Sequence, residues 1–572
     1  MPVPADKYKV LVLGLDGATF ELMLPWIEEG HLPCLGRLVH EGAWSHLRST
    51  IPPITPCAWS SFMTGKNPGK HGLFDFVEPL PGRRGFRFTN ASSRHAESLW
   101  GYLSRHGHRV GVINVPMTYP PEPVNGYLIS GLDTPDERSR YMYPKELRKE
   151  LLREGVGYRL DIRHIGNMRT DARRDWQLRE HCEIETLRTR ALQYLRRQHP
   201  SDFTMLVYTA TDQIQHQFWH YMDPTHDKHD ARGAERYRHA IRDVYVHLDG
   251  LIASVLQDHG DDTVVMLMSD HGFGPTTNVR LRLNQALEQA GLLAFRPEGA
   301  SGRFVRSTAG LVDRLLRSTL SAGAKRLIAS VFPRLRVWFE DLDEAHIDWD
   351  RTAAFTNEVS RSFPMIWVNR GGETAQNGAN GRQRDAVLQA TEEALTRLTD
   401  PQTGRPVISH VYRTRDVYHG PYVAKAPDLI PSWWEDGFLL EQSVPGGRRG
   451  LTVERSKAPI QGGVEFSGSH RLNGVFVMAG GPTRRGCTFT GAQIIDVAPT
   501  VLYLMGLPIP GDMDGRPLLQ AIDPAFVAGR PPQYAGEGPG PAAPVREEAE
   551  TVFSEEEAEM IARRLQSMGY IE

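Results

Sequence analysis

The stretch KVLVLGLD, residues 9–16, decides the fold class of this chain. Apart from its first and last residues it is apolar and rich in valine and leucine, which is typical of a strand buried on both faces of a parallel sheet. Residues 19–29 follow directly and have the spacing of apolar residues that an amphipathic helix shows. A buried strand joined closely to a helix is the repeating unit of a parallel α/β sheet.

The same alternation of apolar strands and amphipathic helices recurs along the chain. The later strands are predicted at RVGVINV (109–115), FTMLVYT (203–209), TVVMLMS (263–269) and GVFVMAG (474–480). The later helices are predicted near 98–106, 173–197, 234–258 and 494–506. The pattern therefore predicts an α/β fold, with a mostly parallel sheet sandwiched by helices.

The chain is longer than one hydrophobic core usually fills, so we expect one large domain with insertions. The segments are a main domain over 1–523, insertions at 136–172 and 290–350, a linker over 524–550 and a C-terminal helix over 551–572. The linker is indicated by composition, because 10 of the 22 residues from 524 to 545 are Pro or Gly. Ser554 and Glu557 form a capping box that predicts the start of the final helix.

The 290–350 insertion combines an apolar helical face with a strong basic bias. Its aliphatic residues at helical spacing are Leu311, Leu315, Leu316, Leu320, Leu327 and Val331. Between 303 and 339 there are eight Lys or Arg residues and one acid, Asp313. This segment would suit a lid, or a surface that contacts anionic lipid or another polyanion. The plainer interpretation is a cap helix whose apolar face packs on the domain.

Bulk composition is that of an ordinary globular protein and narrows the classes of function. The formal net charge of -3 argues against simple electrostatic binding of nucleic acid. Four cysteines without a C-x-x-C motif do not make a disulfide framework. The start MPVPADKYKV lacks the features of a signal peptide, and no apolar run reaches about 18 residues. We therefore expect a cytoplasmic enzyme, whose oligomeric state the sequence does not indicate.

Acidic side chains follow three of the predicted strands. Asp16 ends the first strand, Asp212 follows FTMLVYT, and Asp270 follows TVVMLMS. The carboxyl ends of parallel strands line one edge of the sheet, where such folds bind their ligands. We therefore expect the three carboxylates to lie together. Taken alone, Asp16 is equally compatible with a simple turn before Gly17.

Histidines accompany two of these acids. His216 comes four residues after Asp212, which places both on one face of a helix. His271 follows Asp270 directly, and His470 lies alone in FSGSHRLNG. Each motif has a plain alternative. Asp212 and His216 could form a solvated helical pair, Asp270 could be a helix N-cap beside an exposed His271, and His470 could be a satisfied loop histidine. Together, these carboxylates and imidazoles suit divalent metal ions.

Thr55 is the candidate nucleophile, in the stretch STIPPITPCAWSSFMTG (49–65). A free threonine hydroxyl is too weak an acid to attack phosphorus near neutral pH, whereas coordination to a dication lowers its pKa. A helix starting behind it would direct N–H groups at a bound phosphate. The alternative is a proline-rich turn in which Thr55 only caps that helix. With Thr55 the set reaches the seven donors that two adjacent zinc ions need, and it predicts a two-metal phosphoryl-transfer site.

The stretch TGKNPGKHG (64–72) looks like a phosphate-binding loop but does not match one. Its glycine-to-lysine spacing is one residue short, and His71 stands where a hydroxyl would hold magnesium. Lys66 and Lys70 are candidates for attracting an anionic substrate. Lysines in such positions more often lie in solvent.

The order of these motifs resembles the alkaline phosphatase superfamily, specifically its type I phosphodiesterase and nucleotide pyrophosphatase branch. The resemblance is carried by residues 14–76, from GLDGATF to HGLFDF, by 494–519 and by the ending RRLQSMGYIE. The chain is similar above all to a bacterial group of predicted phosphohydrolases and phosphomutases. The resemblance covers most of the chain and weakens in the two insertions.

The resemblance implies two metal sites. One would comprise Asp212, His216 and His470, and the other Asp16, Asp270, His271 and the Thr55 oxygen. It implies a double displacement, in which Thr55 becomes a phosphothreonine that water then hydrolyses. Two zinc ions about 4 Å apart are expected, with manganese as the alternative for such mixed ligands.

One position departs from the pattern of the nucleotide pyrophosphatases. They carry an asparagine that contacts a phosphate oxygen, and here that position is Phe76. The missing donor counts against nucleotide diesters as substrates. Arg471 and Asn473, beside His470, are candidates for replacing it.

We expect a hydrolase acting on a small phosphodiester or phosphomonoester. A phosphotransferase or phosphomutase on the same scaffold, and a non-catalytic metal-binding homologue, remain alternatives. A sulfatase is disfavoured, because its nucleophile position needs an oxidised cysteine or serine and here holds Thr55. Cys57 lies nearby but lacks the C-x-P-x-R context.

Overall fold

The structure is a computed structural model. It describes residues 8–79, 86–162, 170–257, 260–296, 347–357, 363–369, 381–441, 443, 452–456, 466–536 and 553–568. Residues 297–346, which make up most of the predicted 290–350 insertion, lie outside the described residues. They include the whole basic stretch 303–339.

The strands follow the apolar runs of the sequence. In chain order they are β1 Lys9–Leu15, β2 Ala43–Arg48, β3 Val77–Pro79, β4 Phe86–Phe88, β5 Val110–Val115, β6 Gly126–Ser130, β7 Met142–Tyr143, β8 Phe203–Tyr208, β9 Thr263–Met268, β10 Gly272–Pro275, β11 Val279–Leu281, β12 Ala354–Thr356, β13 Ile366–Val368, β14 His410–Arg413, β15 Leu429–Ser432, β16 Leu439–Leu440, β17 Val453–Arg455, β18 Gly468–Arg471, β19 Asn473–Ala479, β20 Cys487–Thr488 and β21 Ala492–Gln493.

The helices alternate with these strands. They are α1 Phe20–Glu28, α2 Pro33–Glu41, α3 Thr55–Thr64, α4 Pro68–His71, α5 Leu99–Arg105, α6 Leu147–Arg153, α7 Asp171–Gln198, α8 Ala210–Met222, α9 Ala231–Tyr237, α10 Ala240–Leu256, α11 Leu283–Gln289, α12 Gly381–Thr396, α13 Thr414–Val417, α14 Val497–Leu504, α15 Pro524–Gly529 and α16 Glu555–Met568. The predicted helix 234–258 is broken at Arg238–His239, where neither Gly nor Pro gives a signal in the sequence.

A ten-stranded sheet organises the molecule, in the order β20-β2-β19-β9-β1-β8-β5-β6-β7 with β21 beside β2. The neighbours β9, β1, β8, β5 and β6 run parallel, as predicted. The strand predicted at 474–480 is present as β19, but it runs antiparallel to both of its neighbours. The fold is therefore α/β with a mostly parallel sheet.

Hydrophobic clusters cover both faces of this sheet, because alternate side chains of each strand point to opposite sides. Along β1, Leu11 and Leu13 belong to one cluster, whereas Val10 and Val12 belong to the other. Helix α10 packs on the first side, and α14 packs on the second. This burial on two faces explains the continuous apolar runs that the sequence showed.

A second, smaller sheet lies in the part of the chain between β10 and β18. It has the order β12-β13-β15-β14, and its apolar core includes residues of α12 such as Leu388 and Leu395. This sheet follows the predicted 290–350 insertion in the chain, and the bounds of that insertion stay a prediction. Its strands are three or four residues long, too short for alternation to be recognised.

The predicted 136–172 insertion and the predicted linker both contain regular elements. In the 136–172 insertion, β7 pairs with β6, and α6 is a regular helix. In the expected linker, α15 packs on the main domain through Phe526, whose ring contacts Tyr8 and Tyr503, and residues 537–552 lie outside the described residues. Among the described residues, no helix has the length and apolarity needed to cross a bilayer.

The C-terminal helix α16 begins at the predicted capping box. The Ser554 N–H donates to Glu557 Oε2 (2.9 Å), and the Glu557 N–H donates to Ser554 Oγ (3.2 Å). The helix docks on the main domain, where the buried Arg564 guanidinium donates to the carbonyl oxygens of Leu132, Thr134 and Pro135.

Candidate metal centre

Three neighbouring strands deliver acids to one edge of the sheet. Asp16 directly follows β1, and its N–H donates to the Tyr208 carbonyl at the end of β8 (2.9 Å). Asp212 lies in the first turn of α8, which starts just after β8. Asp270 comes two residues after β9. Because β1 lies between β8 and β9, the three carboxylates converge as the strand pattern predicted.

His470 reaches this edge through a long-range pairing that the sequence does not reveal. Strand β18 pairs antiparallel with β10, and Phe273 is the register partner of His470. Strand β10 starts at Gly272, directly after His271. The pairing therefore stacks the rings of His271 and His470, with centroids 3.5 Å apart and planes 14° apart.

The first cluster comprises Asp212, His216 and His470. Asp212 Oδ1 lies 3.3 Å from His216 Nε2 and 3.2 Å from His470 Nε2. All three residues are buried, so the solvated helical pair considered for Asp212 and His216 is wrong. Three donors on one side of a small space can hold one divalent ion.

The second cluster comprises Asp16, Asp270 and His271. His271 Nε2 lies 3.2 Å from Asp270 Oδ2 and 3.7 Å from Asp16 Oδ1. Thr55 Oγ1 lies 3.4 Å from the same His271 nitrogen. The structure thus brings all seven predicted residues together, and their role as ligands remains a prediction.

The histidines share a feature that suits metal binding. The Nδ1 atoms of His216, His271 and His470 lie 2.8–3.1 Å from the carbonyl oxygens of Gly468, Gly272 and Pro53. A carbonyl only accepts, so each ring donates its Nδ1 proton to the backbone and turns its Nε2 atom towards the site. Such a backbone contact fixes the tautomer of metal-binding histidines.

Burial sets the protonation of the site. Burial and the neighbouring Asp270 and Asp212 carboxylates raise the pKa of Asp16, and burial and Asp212 raise that of Asp270. Burial also opposes ionisation of Asp212, but His216 and His470 outweigh it and lower its pKa. Burial lowers the pKa of His271. Without a cation, burial therefore favours protons on Asp16 and Asp270, and a bound dication would displace them.

Two carboxylate oxygens test whether the residues fit a cation. Within the described chain, the buried Asp16 Oδ1 and Asp270 Oδ2 accept no hydrogen bond. Buried oxygens without a partner are costly, and His271 faces them with a lone pair rather than a proton. A cation in that position would satisfy all of these atoms, so the donor set fits a metal ion.

Thr55 is the first residue of α3, whose N-cap is Ile54 without a side-chain cap. The interpretation of Thr55 as a simple cap is therefore wrong, and its hydroxyl points to His271 instead. One turn further along α3, Trp59 Nε1 donates to Asp16 Oδ2 (3.2 Å). The sequence analysis did not identify Trp59, although its i+4 spacing from Thr55 places it on the same helix face.

The two lysines predicted to attract substrate are engaged elsewhere. Lys66 pairs with Asp512, and Lys70 pairs with Asp514 and donates to the Asp512 carbonyl (2.9 Å). The loop that resembled a phosphate-binding motif thus joins the main domain to a turn near the C-terminus. Carboxylates neutralise both charges, which weakens the case for a role in substrate binding.

The remaining substrate-binding candidates are Arg471, Asn473 and Phe76. The Arg471 guanidinium donates to the carbonyl oxygens of Ser469, His470 and Pro275, and it thereby links the paired strands β10 and β18. Asn473 is exposed at the start of β19. The buried Phe76 side chain has no polar atom to offer a phosphate.

Aromatic side chains wall the site, which spacing in the sequence did not indicate. Phe466 stacks on the His216 ring at 4.0 Å, and Phe273 contacts it edge-on at 4.7 Å. Phe363, from the smaller sheet's region, lies 5.2 Å from the His470 ring. These rings exclude water, which strengthens electrostatic interactions inside the site.

Known proteins are similar to this chain in sequence and in fold. The profile of the family described as type I phosphodiesterase / nucleotide pyrophosphatase matches residues 10–432. The 2,3-bisphosphoglycerate-independent phosphoglycerate mutase of Dinoroseobacter shibae is 25% identical over 180 residues, which are 28% of this chain and 35% of the mutase. Human ectonucleotide pyrophosphatase / phosphodiesterase 5 aligns with 90% of this chain and 98% of its own, at 12% identity and a TM-score of 0.47.

The family profile covers the strands and helices that carry Asp16, Thr55, Asp212, Asp270 and His271. The resemblance read from the sequence is confirmed. The chain therefore belongs to the type I phosphodiesterase / nucleotide pyrophosphatase family.

Proposed function

We propose that the protein hydrolyses a small phosphodiester or phosphomonoester through a phosphothreonine at Thr55, in a site for two metal ions. The observation that carries this proposal is the position of Thr55 Oγ1, 3.4 Å from His271 Nε2 and next to two buried clusters of carboxylates and imidazoles. A hydroxyl beside two dication sites is the arrangement expected of a metal-activated nucleophile.

Each cluster would hold one ion. Asp212, His216 and His470 form one set of ligands; Asp16, Asp270 and His271, with the Thr55 oxygen, form the other. The bound ions would lower the pKa of the hydroxyl and neutralise charge on the attacking and leaving oxygens. Mixed carboxylate and imidazole ligands suit zinc, with manganese as the alternative.

The residues then perform a double displacement. Thr55 Oγ1 loses its proton and forms a bond to phosphorus, while the bond from phosphorus to the leaving alcohol breaks and the alcohol takes up a proton. In the second half, water supplies a hydroxyl group to phosphorus and returns a proton to Thr55. The N-terminus of α3 directs backbone N–H groups towards the phosphate during both steps.

A second candidate is transfer of the phosphoryl group to an alcohol, as a phosphomutase does. It is favoured by the partial similarity to the phosphoglycerate mutase, which spans about a third of that protein. Both activities would share the phosphothreonine and differ only in what accepts the phosphoryl group. A non-catalytic metal-binding role is the third alternative, since Phe76 offers no donor to a phosphate.

Purified protein loaded with zinc, incubated with a chromogenic diester and a chromogenic monoester, separates these functions. Hydrolysis of either ester, lost when Thr55 is replaced by alanine, supports the proposal. Turnover that needs an added acceptor alcohol supports transfer. Metal binding without any turnover across diesters, monoesters, phospholipid head groups and nucleotides supports the non-catalytic role.

The surroundings of the reaction are part of the proposal. We propose a cytoplasmic protein that binds a small phosphate ester and no nucleic acid, in keeping with its net charge of -3. The contact with an anionic surface through residues 303–339 stays a prediction, because that segment lies outside the described residues.

A further inference from the structure

Helix α7 presents a buried polar face to the start of α8. Glu185 and Arg188 lie on that face, and both side chains are almost fully buried. Charged side chains are almost never buried so completely unless they are paired. Their partners are Asp161 and the first residues of α8, so this cluster lies directly behind the helix that carries Asp212.

Glu185 caps α8 from outside the helix. Its Oε1 accepts the backbone N–H of Thr209 (2.8 Å) and that of Ala210 (2.9 Å). These are N–H groups at the helix start, which have no partner within a helix. A carboxylate there also interacts favourably with the helix dipole.

Thr209 occupies the N-cap position of α8, but its side chain makes no capping hydrogen bond to the helix. Its hydroxyl donates to Asp161 Oδ1 (2.6 Å) and accepts from Arg188 Nη1 (2.9 Å). Arg188 also donates to Glu185 and, through Nη2, to Asp161 (2.9 Å). One guanidinium therefore joins the capping carboxylate, the N-cap hydroxyl and a third acid into one unit.

The front of α8 is tied to the metal edge separately. Thr211 Oγ1 donates to the Asp16 carbonyl (2.6 Å), and Gln215 Nε2 donates to the Gly17 carbonyl (2.8 Å). Asp212 directly follows the first of these contacts and His216 directly follows the second, on a helix held from both sides. A shift of the helix start would move both candidate ligands together and leave His470, on β18, in place.

We propose that Glu185, Arg188, Asp161 and Thr209 form a positioning unit that fixes Asp212 and His216 for the ion of the first cluster. This inference rests on the proposed two-ion site. The unit touches neither the ions nor the substrate and acts through the helix start. Outer residues of this kind typically change metal affinity by about 10- to 100-fold.

The test variant is Glu185→Gln, which keeps the size of the side chain and removes the charge. The matched control is Asp249→Asn. Asp249 is similarly buried, and its carboxylate accepts the N–H groups of Cys34 (3.1 Å) and Leu35 (2.7 Å) at the start of α2. It thus caps a helix in the same way, but that helix carries no candidate ligand.

Zinc affinity is measured by calorimetric titration of the metal-free proteins. Each variant is made in two parent proteins that keep only one of the two clusters. Asp16→Ala keeps the first cluster, and Asp212→Ala keeps the second. We expect Glu185→Gln to weaken zinc binding about tenfold or more in the Asp16→Ala background and to leave it unchanged in the Asp212→Ala background. Asp249→Asn should change neither.

Thermal midpoints of the metal-free variants separate positioning from general stability, because a merely structural role would lower the midpoint without changing zinc affinity. Thr209→Ser and Thr209→Val give a second test: serine should keep the affinity and valine should lose it. Unchanged zinc affinity in both Glu185→Gln and Thr209→Val would overturn the inference. If the unmutated protein itself bound no zinc, the proposed function would fall as well.

Discussion

His216 Nε2 and His470 Nε2 lie 3.1 Å apart in the protein interior, although each ring already directs its Nδ1 proton to a backbone carbonyl. Both rings therefore turn their Nε2 atoms towards the same small space, where one cation could contact both nitrogens. Asp212, within 3.3 Å of both nitrogens, adds a carboxylate to the same space. This geometry supports the proposed ligand set, on which the predictions for Thr55 and for the two clusters depend.

Replacing Thr55 by alanine should abolish turnover while both ions still bind. The reason is that Thr55 supplies the attacking oxygen, whereas three other donors remain in each cluster. We expect a loss of roughly 10³-fold or more in kcat. Thr64→Ala is the matched control, since Thr64 is equally buried in α3 and only donates to the Ser60 carbonyl. Normal turnover by Thr55→Ala would remove the covalent intermediate.

Each cluster should lose its ion independently. Asp212→Ala should leave one ion per chain, and Asp16→Ala should leave the other, as measured by elemental analysis after dialysis. Chelation of the unmutated protein should lower its thermal midpoint, because an ion that binds only the folded state stabilises it and its removal ends that stabilisation. Retention of two ions by Asp212→Ala would show that the first cluster is not a metal site.

Much of this site follows from the sequence, because its acids stand directly after strands. The apolar runs ending near Asp16, Asp212 and Asp270 predicted strands, and parallel strands share one edge. Local spacing also identified Asp212 with His216 as a helical pair. None of these inferences needed knowledge of contacts between distant parts of the chain.

What the sequence did not reveal depends on such distant contacts. The position of His470 depends on a pairing with Phe273 across almost 200 residues. The burial of the polar face of α7 could not be recognised from the sequence, because Arg188 finds partners in other segments of the chain. Lys66 and Lys70 likewise gave no local sign of the acids that neutralise them.

Asp75 should make stability depend on pH. Burial raises its pKa to about 7, and in the described chain its Oδ2 accepts no hydrogen bond. The unfolded chain titrates near the ordinary value of 3.8, so between about pH 4 and 7 the folded state holds an additional proton. This contribution stabilises the fold at low pH and is lost as the pH rises to 7, by at most about 4 kcal/mol.

Asp75→Asn removes this titration. Thermal midpoints of both proteins, measured from pH 5 to 7.5 under the same metal conditions, should show a shallower fall with pH in the variant. Parallel curves would mean that Asp75 is ionised throughout this range.

Arg564→Ala should release the C-terminal helix. The guanidinium is buried against three carbonyl oxygens, which would lose their donors, at a cost of about 1–3 kcal/mol. Limited proteolysis should then cut before or within residues 553–568. Arg563→Ala is the matched control, because Arg563 is exposed and, within the described part of the chain, its recorded ion pair is with Glu559 on the same helix, an interaction of about 0.5 kcal/mol. Equal protease resistance of both variants would contradict this docking.

The proposed function requires two ions, one in each cluster. Anomalous scattering at the zinc absorption edge from zinc-loaded crystals tests this most directly. The account predicts two peaks, one about 2.0–2.2 Å from donor atoms of Asp212, His216 and His470 and the other at the same range from those of Asp16, Asp270 and His271. A single peak shared by both clusters, or none in crystals that contain zinc, would contradict it.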